Sequence, residues 1–545
     1  MNRIFFLLAF AAYFSPHFAL AQPSLPPVWN ASGQNGVVAS GEREATEAGL
    51  EMLTNGGNAA DAAAATLLVQ AVTESGSYCF GGEVPIIVYD AQRNAVEVIS
   101  GMGTAPKLAT LEHFAAKGIP KSGIETAAVP AAPGAIITLL DRYGTRTFEQ
   151  AAQPMLRILD RHGKEWHADL AVNIRRMIAA EKASQDRRRG LRLAADCFYR
   201  GSIARDIDAW SQANGGLLRF TDLATYSTLI EEPASVDYRG YTVCKCGPWT
   251  QGPVLLQTLR LLEGTNLKAL GQDSPDYIHQ VTEAMKLSLA DRDIYYADPL
   301  FAEVPLEQLL SKSYADLRRP LIDPQKASLL FRPGDPRSGK AELAAAEVPA
   351  GKQRAANDTT TCLTADRFGN VVAATPSGWG GVMAGKTGVQ LGSRLISLNT
   401  KEGSPNCIEP GKRPRITLTP TLVLKDNKPC LAVSVAGGDL QDQVSLQVLL
   451  NSLDFGLPAD KSVTAPRFST AHHIGSFNQP PPSLGSLSIH EGFGDKTLAN
   501  LAARGHKVSA VKGAIGAPVV ISIDAGTGQK HVAGDPKAGR RVGAY

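Results

Sequence analysis

The sequence predicts an α+β protein in which helices cover the outside of two stacked β-sheets. From Pro106 to about Leu330 the apolar residues fall mostly at helical spacing. Beyond Thr359 the texture changes to short β-branched runs separated by Gly, Pro and Asn. The chain is also large enough for such a core, with 545 residues, 44% hydrophobic and 20% charged. Length alone suggests roughly two to four domains.

The first segment is not part of that fold. Met1-Asn2-Arg3 is a short basic start, Ile4 to Tyr13 an apolar run, and Ala19-Leu20-Ala21 a small-x-small cleavage site. These mark a secretory signal peptide over residues 1–21, cut before Gln22, so the protein is expected to be periplasmic or secreted. Residues 22–35 read as a Pro- and Ser-rich arm. Gly41 to Asn58 contains a helix ended by Gly56-Gly57, and Asn58 caps a second, Ala-rich helix to Val72. Gly81-Gly82 turns into a strand over Val84 to Asp90, with Val96 to Met102 as its hairpin partner.

The helical stretch is broken by Val129 to Gly134, by Gly215-Gly216, by a strand at Asp237 to Val243 and by a turn at Trp249 to Pro253. Ile278 to Ala297 reads as a helix, and Phe331 to Asp358 as an exposed linker. Strands follow at Thr360–Ala365, Val371–Pro376, Thr417–Leu424, Leu431–Val435, near Val508 and at Val519–Ile523. Gly437-Gly438 leads into a helix from about Gln441 to Leu453.

Composition excludes several classes of function. A net charge of +3 makes no case for a nucleic-acid partner, and no apolar run after the first segment is long enough to span a bilayer. Seven cysteines without a CxxC or a His/Cys cluster support neither a zinc site nor a thioredoxin-type site. One or two disulfides are compatible with export, although Cys244 and Cys246 would share a strand face and bond each other poorly. No metal or cofactor is implied.

The organising stretch is Asp358-Thr359-Thr360-Thr361-Cys362. Cutting the Asp358–Thr359 bond would give Thr359 a free α-amine beside its own hydroxyl. With a reference pKa of roughly 8, that amine is partly neutral near pH 7 and can take the hydroxyl proton. Taken alone, the stretch reads better as the polar start of a strand.

The wider pattern decides between the two. Gly56 to Ala62, Gly215-Gly216-Leu217 with Asp222-Leu223, Asp237 to Tyr241, Ala290-Asp291-Arg292, Lys412-Arg413-Pro414, Pro420-Thr421, Gly437-Gly438 and Ala465 to Phe468 occur in order across nearly the whole chain. In these the chain resembles the γ-glutamyltransferase (γ-glutamyltranspeptidase) family. The resemblance implies a four-layer αββα sandwich of the N-terminal-nucleophile hydrolase type. It implies a precursor that cuts itself into a large subunit, 22–358, and a small one, 359–545. It also implies Thr359 as nucleophile, Ser377 at the place of a second active-site threonine, and Gly437 and Gly438 as oxyanion donors.

The substrate pocket departs from the family. Met102 stands where the family's carboxylate-binding arginine is expected, Ser397 where its aspartate is, Arg394 where its glutamine is, and Trp379 where its asparagine is. Ile416 and Thr417 replace its paired serines, and the lid stretch Cys407 to Gly411 is short. Methionine cannot replace a bidentate arginine. Arg394, Trp379, Thr417 and Met102 are therefore the candidate substrate contacts, with core or surface packing as the plain alternative for each.

The expected function is a γ-glutamyltransferase-like amide hydrolase or acyltransferase, acting on γ-glutamyl compounds such as glutathione by resemblance. An amidohydrolase or acylase for other small amides is the alternative suggested by the pocket, and a non-catalytic exported binding protein that keeps only the fold is the other. No G-x-S-x-G or H-E-x-x-H is present. Ser509 to Lys512 and Lys386-Thr387-Gly388 match β-lactamase patterns in reversed order, as chance does. Asp61, Asp291 and the Asp237–Tyr241 run read as structural.

Overall fold

A computed structural model describes residues 28–161, 163–343, 351 and 359–545. The signal-peptide stretch and, of the expected 331–358 linker, residues 344–350 and 352–358, Asp358 among them, lie outside the described residues.

Two seven-stranded sheets form the centre, and every strand pairing in both is antiparallel. One runs, in order, Asn30–Gly33, Lys530–Gly534, Ala517–Ile523, Lys428–Ala436, Thr421–Lys425, Tyr241–Lys245 and Ala234–Tyr238. The other runs Arg541–Ala544, Gly36–Ser40, Cys362–Asp366, Val371–Ala374, Ile86–Asp90, Ala95–Ser100 and Leu229–Glu231.

The layering follows from the period-two alternation of strand side chains. Ile87, Tyr89, Leu363, Ala365, Val371 and Ala373 join Leu422, Leu424, Ala432, Val519 and Ile521 in one apolar cluster between the sheets. Their neighbours Ile86, Val88, Cys362, Val372 and Ala374 face helices on one outer side, and Val423, Val433, Val435 and Val520 face helices on the other. Three apolar interfaces thus separate four layers, which is the expected αββα sandwich.

The Ala59–Thr73 helix is buried from Ala59 to Val72, as its alanine content requires. Asn58 caps it, accepting from the Asp61 backbone N–H at 3.1 Å while the Asp61 carboxylate accepts from the Asn58 N–H at 2.9 Å. Asp61 also accepts from Thr145 and Arg146, and so ties two helical segments together.

Four expectations are corrected, the first two being that Asn30–Gly33, expected in an arm, is an edge strand, and that Phe331, Pro333 and Gly334, expected in an exposed linker, are buried. The strand expected over Thr417–Leu424 begins only at Thr421, because Pro420 has no N–H for the ladder. Ile416 instead makes an isolated bridge to Thr250. All seven cysteines are unpaired thiols. No helix among the described residues is long and apolar enough to cross a membrane.

A buried histidine cluster makes the fold acid-sensitive. His279 Nε2 donates to the Asp323 carbonyl at 2.7 Å, so its Nδ1 accepts from His506 Nε2 at 2.9 Å. His472 Nδ1 accepts the Gly485 N–H at 2.9 Å. Burial, then the Lys286 ammonium, holds His472 and His506 down at about 3. Their folded values lie below the unfolded value, so the unfolded chain binds more protons as pH falls. The contribution of these two histidines to stability is full above pH ~6.5 and is lost progressively towards pH ~3, at roughly 2 kcal/mol per histidine by pH 5. Urea unfolding at pH 7.5 and pH 5 should show this loss, and His506→Gln should flatten the dependence.

Candidate active site

Thr359 lies just before the Cys362–Asp366 strand and is 3% exposed. That strand pairs with Val371–Ala374 in the register Cys362↔Ala374 and Leu363↔Ala373. Continued backward, the register sets Thr360 opposite Pro376, where the Thr360 N–H donates to the Pro376 carbonyl at 3.0 Å. One step further it sets Thr359 opposite Ser377.

Thr359 has φ of 84°, a conformation that a β-branched residue adopts only under constraint. Its N–H donates to the Ser77 carbonyl at 3.4 Å, and its Oγ1 accepts from Gln441 Nε2 at 3.5 Å. Behind it, Thr360 Oγ1 accepts from Gln70 Nε2 at 3.1 Å and from Arg540 at 3.2 Å, which anchors the start of the strand.

Gln441 opens the Gln441–Leu453 helix, directly after the Gly437-Gly438 turn. Gly437 has φ of 137° and ψ of 33°, which only glycine adopts readily. The Gln441 side chain thus ties the start of this helix, with its positive dipole end, to Thr359 Oγ1. Buried ion pairs hold the turn in place. Arg292 reaches Asp439 at 2.6 Å and Asp293 at 2.8 Å, and Asp439 accepts from the Ser476 N–H and hydroxyl. The Arg292 guanidinium keeps the Asp439 carboxyl well below its usual range despite burial. On the next residues, Asp442 meets Lys245 at 2.9 Å, with both side chains buried. Burial raises Asp442 to about 6 and lowers Lys245.

Ser377 pairs by backbone with Glu83, in N–H···O bonds of 2.9 and 3.0 Å. Gly82 allows that approach, because a Cβ on it would lie 2.2 Å from the Ser377 carbonyl oxygen. The Ser377 hydroxyl accepts from Arg394 Nη2 at 3.1 Å. Arg394 is buried and is paired side-on with Glu83, through Nε at 2.8 Å and through Nη2. Its guanidinium carbon lies 5.6 Å from the centre of the Phe477 ring, which meets the half-buried Trp379 edge-on at 5.9 Å.

The remaining candidates lie deeper. Met102 is 1% exposed in the apolar cluster between the sheets. Thr417 and Ser397 are fully buried, and their hydroxyls have no partner among the described residues. The structure therefore brings Thr359, Ser377, Gly437, Gly438, Arg394 and Trp379 into one neighbourhood and gives Met102 core packing. Glu83, Gln441 and Phe477 were not singled out in the sequence. The signals available were a lone carboxylate in the apolar run Gly82 to Val88, and a polar residue opening an apolar helix.

A four-layer αββα sandwich with a threonine at the head of a central strand has the architecture of the N-terminal-nucleophile hydrolases. The γ-glutamyltranspeptidase family model matches residues 45–188 and 178–545. The chain is 32% identical to the glutathione hydrolase proenzyme of Escherichia coli (strain K12), over 95% of each chain. It is 30% identical to the acylase ACY 1 proenzyme of Pseudomonas sp. (strain SE83), over 88% of each. A solved cephalosporin acylase from Bacillus halodurans superposes with a TM-score of 0.79 at 28% identity, over 98% of this chain and 99% of that one. The protein belongs to the γ-glutamyltranspeptidase family and is an enzyme of that family.

Proposed function

We propose that the chain is an exported precursor that cuts itself before Thr359 and then hydrolyses or transfers the acyl group of a small amide through an ester on the Thr359 hydroxyl. The observation that carries this reading is the buried, constrained Thr359 at the head of the strand, opposite Ser377 and beside the Gly437 turn. In the first reaction the Thr359 hydroxyl attacks the Asp358 carbonyl, and the acyl group moves from nitrogen to oxygen. One water then opens the ester, leaving a carboxylate on Asp358 and a free amine on Thr359. The large subunit would end at Asp358 and the small one begin at Thr359. Release of the 84° φ constraint favours the cut.

In turnover the freed amine takes the hydroxyl proton, Ser377 orients the amine, and the N–H groups of Gly437 and Gly438 stabilise the tetrahedral oxyanion. Water or an amine then removes the acyl group. No nucleic acid, metal or cofactor takes part in this scheme.

For the acyl group the pocket favours an amide other than a γ-glutamyl one. Met102 lies in an apolar layer and Ser397 carries no charge, so neither the α-carboxylate nor the α-ammonium of a γ-glutamyl group finds a counter-charge. The glutathione hydrolases among the relatives support the second reading, γ-glutamyl compounds such as glutathione. A panel of p-nitroanilides separates the two. Simple acyl anilides are expected to have kcat/KM at least about tenfold above the γ-glutamyl anilide, since each lost ion pair removes roughly 1.5–3 kcal/mol. The reverse order would establish the γ-glutamyl reading. A processed chain inert to every anilide would return the scaffold reading.

A further inference from the structure

We infer that Glu83 makes the acyl pocket electrically neutral, so that the pocket takes an uncharged acyl group bearing a hydrogen-bond acceptor and rejects one ending in a free carboxylate. This rests on the reading of Thr359 as the acyl-carrying residue. Glu83 and Arg394 are each 3% exposed and face each other side-on through Nε and Nη2. The guanidinium edge that would grip a carboxylate is therefore already occupied by one.

Nη1 lies on the far side of the guanidinium from Glu83. It is buried and has no partner among the described residues. It is one fixed donor on a pair with no net charge. A second carboxylate there would leave a buried unpaired negative charge, whereas a ketone, ester or amide oxygen would not. Buried cations on other elements are paired too. Lys245 is matched by Asp442, and Arg292 and Arg415 are matched by Asp293 and Asp439. The Phe477 ring lies against Arg394 and the Trp379 ring against Phe477, while Ser397 Oγ and Gln441 Oε1, which also have no partner among the described residues, are uncharged. Glu83 is thus a specificity-determining residue that acts through Arg394.

The test uses three p-nitroanilides of matched length on the processed full-length enzyme: glutaryl (carboxylate end), glutaramyl (amide end) and pentanoyl (methyl end). Wild type should prefer glutaramyl to glutaryl by about 100-fold or more in kcat/KM, and glutaramyl to pentanoyl by about tenfold. Glu83→Gln frees the Arg394 charge and should raise glutaryl relative to glutaramyl by at least about tenfold, mainly through KM. Should that variant fail to fold, the charge-balanced Glu83→Gln/Arg394→Gln pair replaces it, and in this pair the advantage of glutaramyl over pentanoyl should vanish. Wild-type preference for glutaryl, an unchanged glutaryl-to-glutaramyl ratio in Glu83→Gln, or an intact acceptor advantage in the double variant overturns the inference. A cleaved wild-type chain that turns over none of the three, nor any other anilide, rejects the hydrolase reading itself.

Discussion

A Thr359→Ala chain is expected to remain one polypeptide and to lose activity by roughly four to six orders of magnitude, the scale on which removing a nucleophile acts. The hydroxyl has two tasks in the proposed chemistry, opening the Asp358–Thr359 bond and carrying the acyl group, and alanine performs neither. Denaturing intact mass would show two fragments in the wild type, with a new N-terminus at Thr359, and one in the variant. A wild type that stays whole would mean the amine is never freed, and the constrained Thr359 backbone would then need a structural explanation. Because Thr359 is buried at the head of a strand whose register is fixed by Cys362↔Ala374, the variant should keep the fold. An unchanged thermal midpoint would separate lost chemistry from lost structure.

Gly437→Ala is expected to slow both self-cleavage and amide hydrolysis by about 100- to 1,000-fold, the cost of losing one oxyanion donor. Space is not the obstacle, since the nearest atoms to an added Cβ lie 3.5 Å away. The obstacle is φ of 137°, which alanine does not hold. Relaxing it would rotate the peptide that leads into Gly438 and Gln441 and turn an N–H away from Thr359. The fall should appear in kcat with little change in KM, because the donor acts on charge that exists only in the transition state. Equal rates in the variant would remove Gly437 from the machinery and leave Gln441, whose amide already reaches Thr359 Oγ1, as the nearest donor.

Local pattern was enough for much of this. Short apolar runs bounded by turn residues marked the strands at Ile86–Asp90, Cys362–Asp366 and Ala517–Ile523, and Asn58 marked a helix start. The run of ordered matches gave the family and singled out Thr359. Helix and strand periods, caps and turns are properties of neighbours in sequence, so they can be read there. The strand expected from Thr417 starts later because the Ile416–Thr419 alternation runs into Pro420, whose missing N–H delays the ladder.

What the sequence could not supply were the contacts that set the site's charge. Glu83 and Arg394 are 311 positions apart, and Gln441 and Thr359 are 82 apart. Neither pair leaves a local mark. Arg394 in isolation looked like a carboxylate binder or a solvated surface residue. Only the tertiary structure brought the Glu83 carboxylate against it and left a neutral group with one free donor. Met102 read equally as a pocket or a core residue in the sequence, and its place in the apolar layer between the sheets is visible only in the folded chain. The sequence determined the fold, the family and the candidate nucleophile. Tertiary packing decided the charge of the pocket, because a buried charge takes its meaning from the counter-charge that folding brings to it.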